Sequence, residues 1–265
     1  MLIDTDKNMV IFSGLFAKDY PELYSQITTF LREHNVKYGT LPFTRDYWCR
    51  DYMPIQVNEK RCVQFRYHPD YLIGQERYIT DTDKVMNSLQ ETSLFRDIEV
   101  VHCPIVIDGG NITVCRGNDK DGEYTLLIMT DKVMVENPKL SKHKIENEIE
   151  TAFAERVKFL WLSWEGSEID KYGHTDAMVR FYGIGDDGRP SVLVNLGPYR
   201  MHGALLKERI EEYCNVTEIT CSKDSDINWA PMNFLQTDKA IVIPGVGEPT
   251  DNEMLCQMLN LYNDD

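Results

Sequence analysis

The apolar positions along the chain follow one plan five times over: a strand, an amphipathic helix, and a second strand. In the first unit Met9 to Ser13 reads as a strand, and Pro21 sits where a first helical turn tolerates proline. Leu23, Ile27, Phe30 and Leu31 then recur at helical spacing, and Val36 to Thr40 closes the unit. The second unit runs through a strand at Arg61 to Tyr67, a short helix after Thr82, and Ile98 to His102. The third has strands at Asn111 to Cys115 and Tyr124 to Met134. Its helix begins at Ser141 with an apolar face of Ile145, Ile149, Ala152 and Phe153, and Val157 to Trp161 closes it. In the fourth, Thr175 to Tyr182 and Ser191 to Asn195 flank a Gly185 to Gly188 turn. A helix around Leu205, Leu206 and Ile210 and a strand from Val216 to Ile219 follow. The fifth offers Met232 to Leu235, Lys239 to Ile243, and a helix opened by Thr250-Asp251-Asn252-Glu253, a capping-box sequence. No closing strand follows it before Asp265, so a chain cut short at its C-terminus is expected. No linker rich in Pro, Gly or Ser divides the chain, which predicts a single α/β domain over residues 1–265.

Composition narrows the function classes. With 42% hydrophobic residues, four Trp and fourteen Tyr, the chain can fill a sizeable core and is not a disordered one. A formal charge of −15 repels phosphate backbones, which argues against nucleic acid as a partner and tolerates a cationic ligand. The seven cysteines are odd in number, include no CxxC, and follow no secretory leader. Reduced thiols in a cytoplasmic protein are the expectation. No apolar run approaches the roughly 20 residues that span a bilayer, so no membrane partner is expected.

The candidate chemistry lies just after the first three closing strands. There the chain carries Trp48-Cys49-Arg50-Asp51-Tyr52-Met53-Pro54, then Ile107-Asp108-Gly109-Gly110-Asn111, then Gly173-His174-Thr175-Asp176. If the units surround an axis, these segments converge at one end of it. A lone His-x-Asp is most often a hydrogen-bonded histidine beside a surface acid. Here the apolar run Ala177 to Phe181 predicts a buried strand with His174 and Asp176 on one face, and a buried carboxylate needs a partner. Asp108 with two glycines reads equally as a turn, or as backbone that passes close to a ligand while the Asp reaches it. Trp48, Tyr52 and Met53 are expected to wall a pocket around Arg50 and Asp51. Asp51, Asp108 and Asp176 would then offer three carboxylates to a planar guanidinium, whose fixed fork of donors pairs with carboxylates bidentately.

These three segments, in this order, resemble the agmatine deiminase and bacterial peptidylarginine deiminase family. Its members are guanidine-modifying hydrolases of linear amidines with the five-bladed α/β propeller, or pentein, fold. The resemblance runs from about Ser13 to the last helix and includes Glu136-Asn137-Pro138 through Ile145. It implies that Asp51, Asp108 and Asp176 hold the guanidinium and that His174 is general acid and base, with Trp48 and Arg50 beside the substrate. It implies no metal and no cofactor, a small guanidine or an arginine-containing peptide as partner, and leaves homo-oligomerisation open. The family's nucleophilic cysteine lies after a closing strand that the fifth unit lacks. Cys256 falls in the preceding helix, and Cys49 stands near acids that raise a thiol's pKa. The chain as given is therefore expected to lack turnover.

Two alternatives share these residues. A guanidine-ligand binding protein needs no cysteine. A non-haem iron enzyme would use His174 and Asp176 with His202, although its fold would be an all-β barrel that the helices here contradict. A phosphate site at Gly245-x-Gly247 is opposed by Glu248 and Asp251.

Overall fold

A computed structural model of the chain describes residues 1–92, 95–166, 170–197, 199, 202–219, 232–245, 247 and 250–262. Cys221 and Arg200 fall outside them. The first unit is strand β1 (Met9–Ser13), helices α1 (Gly14–Asp19) and α2 (Pro21–Glu33), and strand β2 (Lys37–Leu41), with β1 and β2 paired in parallel. The short helix α3 (Cys49–Tyr52) leads to β3 (Ile55–Asn58), β4 (Arg61–Arg66), α4 (Thr82–Gln90) and β5 (Glu99–Val106). The third unit comprises β6 (Thr113–Asp119), β7 (Gly122–Thr130), α5 (Lys132–Glu136), α6 (Lys142–Phe153) and β8 (Val157–Leu162). The fourth is β9 (Val179–Ile184), β10 (Pro190–Val194), α7 (Gly203–Glu211) and β11 (Asn215–Glu218). The last holds β12 (Leu235–Gln236), β13 (Ile241–Val242) and α8 (Thr250–Tyr262).

Units two, three and four share one topology. An antiparallel hairpin is followed by a helix and a third strand that returns parallel to the second, giving the orders β3-β4-β5, β6-β7-β8 and β9-β10-β11. β12 and β13 form an antiparallel pair. Their Leu235 and Ala240 pack against Val10, Leu31 and Val36, and the Asp238 N–H donates to the Lys7 carbonyl at 2.8 Å. The last hairpin thus lies against the first unit.

Helix faces follow from side-chain chemistry. Ser141 caps α6 by accepting from the Lys144 N–H, and Ile145, Ile149, Ala152 and Phe153 are buried on the face that the periodicity predicts. Burying each of the larger three contributes about 1.5–3 kcal/mol. In α2 the prediction is corrected: Leu23 and Phe30 are exposed, while Thr28 and Leu31 are buried. Thr28 can turn inward because its hydroxyl donates to the Tyr24 carbonyl at 2.8 Å. Among the described residues no helix is long and apolar enough to cross a membrane.

Candidate active site

The loops after β2, β5 and β8 meet. α3 carries Asp51, whose Oδ1 accepts the Gly110 N–H at 3.1 Å. Asp108 follows the buried Ile107 at the end of β5, and its side chain is 2% exposed. His174 arrives from the loop after β8 and stands between the two acids. Its Nε2 is 3.3 Å from Asp108 Oδ2, and its Nδ1 is 3.8 Å from Asp51 Oδ1. The other Asp108 oxygen, Oδ1, is buried and has no hydrogen-bond partner among the described residues. Such an orphaned acceptor is costly and suits a donor brought by a ligand.

The glycines of Ile107 to Asn111 serve packing within the protein. A Cβ on Gly109 would lie 1.9 Å from the Arg50 carbonyl oxygen, and one on Gly110 would lie 2.4 Å from His174 Nδ1 and 2.7 Å from Asp51 Oδ1. Their bare backbone lets α3 and the imidazole close onto Asp108. The close approach is to the protein's own atoms, the α3 backbone at Gly109 and the His174 and Asp51 side chains at Gly110.

Burial alone would push the His174 imidazole down. The Asp51 carboxylate, the hydrogen bond with Asp108 and the charge of Asp176 outweigh it and hold the imidazole up at about 9. Burial pushes Asp51 up to about 7; the His174 charge opposes the shift, and Asp108 and Asp176 reinforce it. The folded His174 value lies above the ~6.5 of a free imidazole. Its protonation therefore stabilises the fold below about pH 6.5, and that contribution is lost as pH rises through about 9. Raised Asp51 acts in the same direction at lower pH, losing its contribution as pH climbs through about 7. The melting temperature should fall across the upper window and His174→Asn should flatten that fall. A wild-type melting temperature level from pH 6.5 to 9 would contradict the carboxylate cage.

Other predicted residues are placed differently. His174 and Asp176 do not share a strand face, because β9 begins only at Val179. The Thr175 carbonyl instead accepts the N–H groups of Met178 and Val179, which makes a turn, and the Asp176 N–H donates to the Gly110 carbonyl at 3.0 Å. Asp176 lies within electrostatic reach of Asp51 and His174 and also lines a cavity of about 480 Å³ with Arg50 and Arg180. Asp51, Asp108 and His174 do not line that cavity. Trp48 is 68% exposed and closes no wall around Arg50 and Asp51. Arg50 donates to the carbonyls of Gly109 and Ile112 at 3.0 and 2.8 Å, so its fork serves the backbone.

Cys49 lines the same cavity beside the Tyr52 hydroxyl, and burial, then the charges of Asp46 and Asp51, push its thiol up to about 11. Cys256 is exposed on α8. His202 stands 3.9 Å from Glu165, and no group of three or more His, Cys, Asp or Glu among the described residues is arranged to hold a metal ion. The Gly247 N–H is taken by Asp251 Oδ2 at 2.8 Å.

Sequence reasoning missed Tyr71. Its ring stands edge-on to Tyr172 at 4.9 Å and to His174 at 6.4 Å, and burial, then the charges of Asp108 and Asp51, raise its phenol above the ordinary range. It lies in a one-turn 3-10 helix, Asp70–Leu72, too short to leave a periodic signal.

Comparisons with known proteins bear on the fold and the family. A search of curated proteins returned no match. Among solved structures the chain is similar to an agmatine deiminase of Enterococcus faecalis, with 16% identity, TM-score 0.73, and coverage of 100% of this chain and 88% of that one. It is also similar to an arginine deiminase from Porphyromonas gingivalis (17% identity, TM-score 0.64, coverage 99% and 90%). A dimethylarginine dimethylaminohydrolase matches at 11% identity and TM-score 0.55, covering 95% of this chain and 90% of that one. At such identities the likeness is one of fold, an α/β fold shared with these deiminase and dimethylaminohydrolase structures. The sequence itself goes further, since the family model for Porphyromonas-type peptidyl-arginine deiminase matches residues 15–265. The histidine caged by acids after successive closing strands thus sits in a chain that belongs to the Porphyromonas-type peptidyl-arginine deiminase family.

Proposed function

We propose that this chain binds the guanidinium group of agmatine or of a peptidyl arginine, and that its site is built for hydrolysis of that group. The observation that carries the reading is the buried Asp108 oxygen with no partner among the described residues, beside an imidazole already held by Asp51 and Asp108. Asp51, Asp108 and Asp176 compensate the ligand's charge. The five units form one domain over residues 1–265, a five-bladed propeller; the contact of the last hairpin with the first unit supports that closure.

In the reaction a cysteine thiolate attacks the guanidinium carbon, and protonated His174 gives its proton to the departing nitrogen, which leaves as ammonia. Neutral His174 then takes a proton from water as its oxygen adds to the same carbon. Breaking the carbon–sulfur bond releases the ureido product and restores the thiolate. Cys49 and Cys256 are unsuited to the attack: one thiol is held protonated by burial and acids, and the other is exposed on α8. Neither supplies the nucleophile, and a third thiol must.

Cys49→Ser and Cys256→Ser should leave guanidine binding, and any release of ammonia or ureido product by the purified protein, unchanged. Product that disappears in Cys49→Ser or Cys256→Ser would overturn this assignment of the thiols. Failure to bind any guanidine would overturn the function.

A further inference from the structure

Beneath the carboxylate cage lies a buried cation that the proposed chemistry does not use. Lys132 opens α5 with its side chain 1% exposed. Its ammonium is 2.8 Å from Asp70 Oδ1 and donates to Glu136 Oε1 at 3.1 Å, and the same Glu136 oxygen accepts the Asp70 N–H at 3.2 Å. A buried ammonium without such partners would be strongly disfavoured. Burial pulls the Lys132 pKa down, but Glu136 and Asp70 more than restore it, so the group is a cation at neutral pH.

Two further contacts aim this cation at the site. Lys132 Nζ lies 4.8 Å from the centroid of the Tyr71 ring, in the residue next to Asp70, and 5.6 Å from that of Trp164. The Lys132 stem also fills the space behind Gly173, where a Cβ would come within 2.9 Å of Lys132 Cδ. Gly173 has φ +63 and immediately precedes His174. Tyr71 in turn touches both partners of the cage. Its ring is edge-on to His174, and its phenol lies against Asp108.

We propose that Lys132 is a positioning residue of the guanidinium site: clamped by Asp70 and Glu136, it holds the Tyr71 ring against His174 and Asp108 and so sets where Asp108 meets its ligand. The inference rests on the guanidinium reading for its ligand, but its geometric half does not. Asp70 and Glu136 neutralise the lysine locally, which leaves Asp51, Asp108 and Asp176 free to attract a cation.

The test is a double-mutant cycle of Lys132→Met and Tyr71→Leu, with Lys132→Arg as the conservative variant. Agmatine affinity is read by calorimetry, and the His174 ring resonance, which the edge-on Tyr71 and Tyr172 rings displace, is read by NMR without ligand. Lys132→Met should weaken agmatine about tenfold, the scale of a desolvated cation–π contact. It should also move the His174 resonance, and it should add little once Tyr71→Leu is present. Lys132→Arg should restore most of both signals. Additive losses in the double mutant, or an unmoved resonance and affinity in Lys132→Met, would overturn the proposal. If Lys132→Met fails to fold, Tyr71→Leu alone decides, and wild-type affinity and resonance in that variant would overturn it equally. If the wild type binds no agmatine, the guanidinium reading fails, and the ligand-free resonance still decides whether Lys132 acts through Tyr71.

Discussion

Gly109→Ala should lower the melting temperature by roughly 6–12 °C and abolish guanidinium binding. The added Cβ would sit 1.9 Å from the Arg50 carbonyl oxygen and 3.0 Å from its carbon, and both are backbone atoms that cannot swing aside. Either α3 or the Asp108 turn must shift, and the shift breaks the Arg50 Nε bond to the Gly109 carbonyl and the Gly110 N–H bond to Asp51. Overpacking of this kind costs about 3 kcal/mol, or roughly 2–4 °C per kcal/mol for a domain of this size. Gly183→Ala is the control, because a Cβ there meets nothing within 4 Å. Differential scanning calorimetry of the pair checks the claim, and equal melting temperatures would mean that the loops are not packed as described.

The second large effect concerns His174. His174→Asn should keep measurable agmatine binding while guanidine turnover falls by at least about 10²-fold. Binding survives because Asp51, Asp108 and Asp176 remain. Turnover falls because the imidazole, held up at about 9 by its acidic neighbours, is the group that protonates the departing nitrogen. A cationic substrate opposes the imidazolium and lowers its pKa in the complex, which prepares it to act next as a base. If His174 only braced its loop, melting temperature and affinity would fall together and turnover per folded molecule would stay near normal. Measuring all three on one preparation separates the two roles.

The placement of the acids was legible because it follows from topology. A strand–helix–strand unit ends in a parallel strand, and the segment after it leaves the sheet at the same end in each unit, so residues after β2, β5 and β8 could be grouped from sequence alone. What was not legible depended on contacts between units. β3 was missed because its alternation, Ile55-Gln56-Val57-Asn58, runs for only four residues, the minimum that reads as a strand. The strand assigned across His174 and Asp176 failed because the buried Thr175 uses its carbonyl to start a turn, which propensity does not reveal. Trp48 and Arg50 looked like pocket walls by adjacency to Asp51, yet one is solvent-facing and the other holds backbone carbonyls. Lys132 gave no signal at all, since a lysine in an apolar run reads as a surface residue until Asp70 and Glu136 are seen to close over it.

The central claim is that these carboxylates are arranged for a planar, forked cation and not for positive charge in general. Isothermal titration of the purified chain with agmatine and with putrescine compares a guanidinium with a plain ammonium on the same carbon chain. The account predicts that agmatine binds at least about tenfold more tightly, because bidentate pairing supplies hydrogen bonds that a point charge cannot. Equal affinities, or tighter binding of putrescine, would contradict it.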